Sequence, residues 1–301
     1  MNNPAKKKHF FRRLNVELTE DEIKNPRFWD VFKIIWHSIK GYFVEKPGQI
    51  IGSTFILLML WGTHGNLELL GCFWHNWRAP GTNPACRPLL CPCIPWGNEL
   101  ISFWLGALLL VIVPIILIKL IFKKDKLSDY GLGMPPKNLR CLASMTFLVL
   151  FGCSCIVFFL SGSRSADMRQ LYPLFKNFKS VGQFILYELS YLPFLIAIEF
   201  IFRGYLLFGL ANFCDKEIRR ASGVGGVFYF HRYALLIQML SYTAWHLGKP
   251  VPELWGTLGW GLAAGAMAYA LRSIWPVVLS HWLLNVVVDG YFAIKCHLIS
   301  I

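Results

Sequence analysis

Charged side chains are scarce in this 301-residue chain. They make up 16% of the residues, whereas an ordinary soluble domain carries about 25%. Hydrophobic residues reach 55%, and the mean hydropathy is +0.47. This composition argues against a soluble globular domain and predicts an integral membrane protein embedded in a lipid bilayer.

Several motifs of soluble enzymes are missing as well. Gly223, Gly225 and Gly226 lie in a basic turn rather than after a strand, so they do not form a phosphate-binding loop. The sequence has neither a nucleophilic serine elbow nor a His-Glu-x-x-His zinc helix. We assign the net charge of +13 to membrane topology and lipid headgroups, and expect no nucleic-acid partner.

The apolar runs predict an all-α fold, a polytopic transmembrane helix bundle. Crossing the hydrocarbon takes about 20 residues. Asp289 and Gly290 leave an eighth or re-entrant piece open, so we predict seven or eight spans. Gly261 and Gly265 form a small-xxx-small pair that favours close helix packing. The seven candidate spans are residues 48–64, 99–122, 141–160, 181–211, 232–247, 254–272 and 274–296.

Basic residues predict the orientation of the bundle. They concentrate in the N-terminal segment and in the connections 119–140 and 214–232, which we therefore place in the cytoplasm. The basic connection 161–180 runs against this assignment because alternation places it outside. We expect a bacterial cytoplasmic membrane, with the N-terminus in the cytoplasm and no cleaved signal peptide.

The chain divides into three regions. Residues 1–46 form a basic segment, in which residues 27–45 have an apolar stripe with interleaved lysines. That stripe predicts an amphipathic helix at the membrane surface, and a helix packed against the bundle fits it equally well. Residues 47–126 contain the first spans and an external loop, 65–98, and residues 127–301 form the membrane core.

The external loop holds four of the nine cysteines. Their even number and their outer compartment favour two disulfides. A zinc site that includes His64 and His75 is the alternative, although the spacing fits no zinc knuckle. The four residues are Cys72, Cys86, Cys91 and Cys93.

Polar pairs interrupt three of the later spans. The members of each pair are four residues apart and so lie on one helix face. An ionisable side chain in a span costs about 2.5–3.5 kcal/mol on insertion scales. Each pair alone has a structural explanation: in sequence order, an ion pair, a histidine at the membrane interface and an interhelical hydrogen bond. Together, the three pairs indicate a functional site. The pairs are Glu199 with Arg203, Tyr242 with His246, and His281 with Asn285.

The sequence around these pairs resembles a known family. Residues 197–204 read Ala-Ile-Glu-Phe-Ile-Phe-Arg-Gly, residues 242–246 read Tyr-Thr-Ala-Trp-His, and residues 281–285 read His-Trp-Leu-Leu-Asn. In order and spacing they are similar to the three motifs of the CPBP family, the CAAX prenyl endopeptidases and bacteriocin-processing intramembrane proteases. The resemblance covers about residues 127–290.

The resemblance implies an intramembrane endopeptidase without a cofactor or a metal, acting on a membrane-associated or processed peptide or protein. It implies that Glu199 and His246 activate water, that His281 and Asn285 bind the oxyanion, and that two further residues, Arg203 and Tyr242, support them. The family has two adjacent glutamates, of which the first activates water. This chain has Ile198 and Glu199 at these positions, so Glu199 would have to take over that part.

Because of this isoleucine, an alternative stays open. The chain would then be a catalytically inactive family member that acts as a binding, chaperone or immunity partner. We do not expect Glu188 to substitute, because eleven helical residues place it about 16 Å from Glu199. Asp289, one turn beyond Asn285, either extends the polar network or marks the membrane exit.

Two further functions fit the same residues. In a proton-coupled transporter, buried Glu and His would act as relay groups, but we find no internal repeat. In a metalloprotease, Glu199, His246 and His281 would form a zinc set.

Overall fold

The computed structural model describes residues 46–63, 97–123, 125–211 and 227–299, and in these residues the secondary structure is helical. The chain forms two compact units, residues 1–53 and 54–301. In the first unit, residues 46–53 begin helix α1 (Lys46–Thr63), where the Ser53 hydroxyl donates to the Gln49 carbonyl at 2.6 Å. The predicted amphipathic segment 27–45 and the four loop cysteines lie outside the described residues.

In its described residues, the second unit consists of helices. Two of its long helices contain π-helical segments. The elements are α2 (Gly97–Ala107), the π-helix Leu108–Ile112, α3 (Val113–Leu120), α4 (Arg140–Leu160), α5 (Ala166–Leu171), α6 (Val181–Glu199), the π-helix Phe200–Phe208, α7 (Val227–Trp245), α8 (Val251–Leu271) and α9 (Trp275–Lys295).

Four helices in the described part of the chain are long and apolar enough to cross a membrane. They coincide with four of the seven predicted spans. The predicted spans 48–64, 232–247 and 254–272 correspond to the helices α1, α7 and α8, which do not meet the same measure of length and hydropathy. The four are Phe103–Leu120, Lys137–Arg164, Val181–Ala211 and Trp275–Lys295.

The helix of α6 and its π-helical extension is the most buried span. Along α6 it packs against α2 and α9, and along the π-helix it packs against α7 and α8. Helix α4 covers α8 and α9 from the other side. The polar residues of α6 and α9 therefore face each other in the interior, away from lipid.

Glycine lets α7 and α8 approach closely, as the small-xxx-small pair predicted. A Cβ atom at Gly265 would overlap the side-chain amide of Gln238 and would lie 2.7 Å from Leu235 Cδ1. At Gly261 it would lie 3.1 Å from Met239 Cγ. A larger residue at Gly265 would push the two helices apart.

The connection before α4 fixes the start of α9. Gly131 has φ +76, a conformation that favours glycine, and its carbonyl accepts from the Ile274 amide at 3.0 Å. The Trp275 indole donates to the Leu132 carbonyl at 3.0 Å. These hydrogen bonds hold the first turn of α9 in place, and so help to position His281 and Asn285 further along the same helix.

Candidate active site

Two polar stripes meet where α6 packs against α9. Eleven residues are close to three helical turns, so Glu188 and Glu199 lie within about 20° of each other around α6. On α9, His281, Asn285 and Asp289 follow one another at one-turn intervals. The five side chains form two groups of contacts, one around Glu199 and one around Glu188.

Glu199 is the centre of the first group. Its Oε1 accepts from His281 Nδ1 at 2.6 Å and from Arg203 NH1 at 3.4 Å, and its Oε2 lies 3.3 Å from Arg203 Nε. Glu199 and Arg203 are completely buried, so each offsets the other's lost hydration. The Arg203 guanidinium also lies 4.0 Å from the centre of the Tyr242 ring, a favourable cation–π position.

This arrangement sets the chemistry of His281. Because its Nδ1 faces the Glu199 carboxylate, Nδ1 is the protonated donor. Its other nitrogen, Nε2, is then the one that can face a substrate. The Trp260 ring packs 5.3 Å from the imidazole, centre to centre, and holds its plane.

His246 is oriented as a base. Its Nδ1 lies 2.8 Å from the Tyr242 carbonyl, which can only accept, so Nδ1 carries the proton and Nε2 carries the lone pair. The Tyr242 and Trp245 rings pack on the imidazole, with centres 4.5 and 5.1 Å away. Its Nε2 lies 3.9 Å from Oε1 of Glu253, in the first turn of α8.

Two polar residues from other segments hold Glu253. The Tyr172 hydroxyl, between α5 and α6, donates to Glu253 Oε1 at 2.9 Å. Lys249 Nζ lies 3.8 Å from the same oxygen and donates to the Tyr172 hydroxyl at 3.3 Å. Burial raises the pKa of Tyr172 and lowers the pKa of Lys249.

The sequence did not single out these three residues. An acidic residue in the first turn of a helix is common because it complements the helix dipole. Glu253 therefore has a local structural explanation in the sequence, and only the fold places it beside His246.

Asn285 belongs to the second group. Its Nδ2 donates to Glu188 Oε2 at 3.1 Å and to Asp289 Oδ2 at 3.5 Å. The Trp282 indole donates to the Glu188 carbonyl at 3.0 Å and holds this part of α6 against α9. Glu188 Oε1 and Asp289 Oδ1 are buried and accept no hydrogen bond from the described residues.

Of the two interpretations of Asp289, the structure favours an extension of the polar network. Glu188 lies far along the helix from Glu199, as predicted. It nevertheless contacts Asn285, because the polar residues of α9 follow one another at one-turn intervals and lie beside both glutamates of α6. The sequence contained this signal: residues at i, i+4 and i+8 on one helix can meet residues at i and i+11 on another.

The six candidate residues thus lie on three neighbouring segments. Glu199, Arg203, Tyr242 and His281 form one chain of contacts, His246 packs on Tyr242, and Asn285 lies one turn from His281. Among the described residues no group of three or more His, Cys, Asp and Glu side chains is arranged to hold a metal ion. Glu199, His246 and His281 do not converge as ligands there, since His246 faces Glu253 instead.

Comparison with known proteins gives one result for this region. Residues 182–287 match the family model of the Rce1-like type II CAAX prenyl endopeptidases. No curated protein and no solved structure matches the chain. All six candidate residues, together with Glu188 and Glu253, lie within the matched segment. Residues 182–287 are therefore a domain of the CPBP family, the family of the Rce1-like type II CAAX prenyl endopeptidases.

Proposed function

We propose that the chain is an intramembrane endopeptidase of the CPBP type, which cleaves a membrane-associated or processed peptide. The observation that carries this proposal is the geometry of His246 within the family domain. Its Nδ1 is bound by the Tyr242 carbonyl, so its Nε2 is available as a base.

In the proposed reaction, His246 Nε2 accepts a proton from a water molecule, which attacks the carbonyl carbon of the scissile peptide bond. His281 donates to the oxygen of the tetrahedral intermediate. Asn285, one turn further on α9, donates to the same oxygen after it releases its 3.5 Å hydrogen bond to Asp289. Loss of one such donor typically costs about 10²–10³ in rate. The protonated His246 then donates to the leaving amine nitrogen.

Glu199 has a different part in this scheme from the one that the family resemblance implies. Arg203 and His281 already occupy its carboxylate, and its side chain is fully buried. We assign it to positioning His281 and to balancing the charge of a doubly protonated imidazole at that position. Water is then activated elsewhere in the site.

We also propose that α1, α7 and α8 cross the membrane, giving seven spans with the N-terminus in the cytoplasm. These helices have 18, 19 and 21 residues, close to the length needed. Helices α7 and α8 pack on the buried α6 span and its π-helical extension or on α4, which supports placing them in the same layer.

A non-catalytic binding or chaperone function is the second candidate. Two observations favour it: Ile198 replaces a family glutamate, and Asn285 already donates to both Glu188 and Asp289. In that case the polar interior would only bind a partner segment. The two functions differ in whether new peptide termini depend on His246.

The test compares peptide termini in membranes from cells that express the wild-type chain, His246→Ala or the control His297→Ala at equal levels. His297 is exposed near the end of α9, so its loss removes an imidazole outside the site. We expect termini that appear with the wild type and the control and are lost with His246→Ala. If all three folded proteins give the same termini, the chain does not act as a protease.

A further inference from the structure

In the family a carboxylate takes part in activating water, and at position 198 this chain has an isoleucine instead. Of the buried acidic side chains in the domain, Glu199 is bound to Arg203 and His281, and Glu188 is bound to Asn285. Glu253 is the described carboxylate that faces the histidine with the free lone pair.

Glu253 Oε1 and His246 Nε2 lie 3.9 Å apart. In the tautomer that the Tyr242 carbonyl fixes, both atoms are hydrogen-bond acceptors. The Tyr172 hydroxyl already donates to Oε1, and a carboxylate oxygen can accept a second hydrogen bond. One water molecule between the two atoms is small enough to donate to both. The buried second oxygen, Oε2, accepts no hydrogen bond from the described residues.

The exposure of the pair also suits a water site. The His246 and Glu253 side chains are 9% and 16% exposed, whereas Glu199 is fully buried. A water molecule can thus reach the pair without opening the helix bundle. The site remains dry enough for the carboxylate to act strongly on a bound water.

We propose that Glu253 is a catalytic residue, the carboxylate that holds and polarises the attacking water together with His246. It takes the chemical role that the family assigns to the residue at position 198. This inference rests on the proposed protease function. Tyr172 and Lys249 are positioning residues that fix the carboxylate from two other segments.

The step balances without any further reactant. Water donates one proton to His246 Nε2 while its oxygen forms a bond to the carbonyl carbon, and the carbonyl π electrons move to the oxygen held by His281 and Asn285. Glu253 accepts the hydrogen bond from the second water proton and compensates the imidazolium charge. When the C–N bond breaks, His246 returns its proton to the amine, leaving a carboxylic acid and an amine as products.

The experiment compares peptide termini for the wild type, His246→Ala, Glu253→Gln and the control Asp167→Asn, all at equal levels in membranes. Asp167 is exposed on α5, so its change also converts an acid into an amide but outside the site. We expect the control to equal the wild type. Glu253→Gln should reduce the dependent termini at least 100-fold, in the range of lost general acid–base catalysis of about 10²–10⁴.

The double variant Ile198→Glu with Glu253→Gln separates catalysis from structure. It returns a carboxylate to the family position, so we expect it to recover at least tenfold over Glu253→Gln alone. Recovery would not follow if Glu253 only stabilised the fold. If Glu253→Gln fails to fold, Glu253→Asp is tested in its place. The shorter side chain keeps the charge but moves it away from His246, so we expect the yield of His246-dependent termini to fall at least tenfold.

The outcomes distinguish the two proposals. If His246→Ala removes the termini while folded Glu253→Gln keeps them, the protease function stands and the role of Glu253 is wrong. If Glu188→Gln removes them while Glu253→Gln does not, the water-activating carboxylate is Glu188, which also overturns the inference. If neither His246→Ala nor Glu253→Gln changes the termini, the protease function itself fails.

Discussion

Replacing Arg203 by Met tests the buried charge network directly. The guanidinium NH1 lies 3.4 Å from Glu199 Oε1. With an effective dielectric constant of about 20, two unit charges at that distance attract by about 5 kcal/mol. The contact with the Tyr242 ring adds about 2 kcal/mol at a desolvated site.

The net loss should be smaller than this sum, because His281 remains beside Glu199 and Met fills part of the space. Removing one partner of a buried ion pair typically costs about 3–5 kcal/mol, and we expect Arg203→Met to fall in that range. The double variant Glu199→Gln with Arg203→Met should be less destabilised than the two single losses added together, by about 1–3 kcal/mol.

The free energy of unfolding is measured by reversible denaturation in mixed detergent micelles. Arg169→Met is the matched control, because Arg169 is exposed on α5 and its loss should cost less than about 0.5 kcal/mol. The reasoning is refuted if Arg203→Met lies within about 1 kcal/mol of the wild type. It is also refuted if the double variant equals the sum of the single losses.

Three further results are expected. Gly265→Ala should lose about 1–3 kcal/mol in the same unfolding assay because its methyl group would overlap Gln238. Gly256→Ala, on the same helix with no atom within 4 Å of the added Cβ, should change by less than about 0.5 kcal/mol, and equal losses at both positions would contradict the packing argument. Tyr172→Phe should lower the yield of His246-dependent termini about 10- to 150-fold, since one hydrogen bond to a charged group contributes about 1.5–3 kcal/mol. Burial raises the pKa of Tyr172, so the hydroxyl remains a donor at neutral pH and this ratio should stay constant from about pH 6 to 8; a ratio that varies would assign the effect to another group.

The sequence predicted the helical class and the pairing of polar side chains along single helices, because both follow from short-range patterns. A four-residue spacing places two side chains on one helix face whatever the surroundings. For this reason Glu199 with Arg203 and Tyr242 with His246 are adjacent in the structure as expected.

Short-range sequence patterns do not predict contacts between distant segments. Glu253 is 81 residues from Tyr172 in the sequence and meets it only after the helices have packed. The partner of Asn285 depends on where α6 and α9 cross, and neither helix encodes that point by itself. Span assignment also depends on packing, since α7 and α8 bury polar and small residues against neighbours and so have a lower hydropathy.

The π-helical segment Phe200–Phe208 has a consequence for how the site tolerates change. A π-helical turn closes its hydrogen bonds over five residues instead of four, so it offsets the rotation of everything that follows. Up to Glu199 the helix packs against α9, and from Phe200 onwards it packs against α7 and α8. Deleting a single residue here would turn one half of the helix by about 100° relative to the other. Arg203 would then lose its contact with either Glu199 or Tyr242. The number of residues in this segment, more than their identity, therefore keeps the two halves of the site aligned.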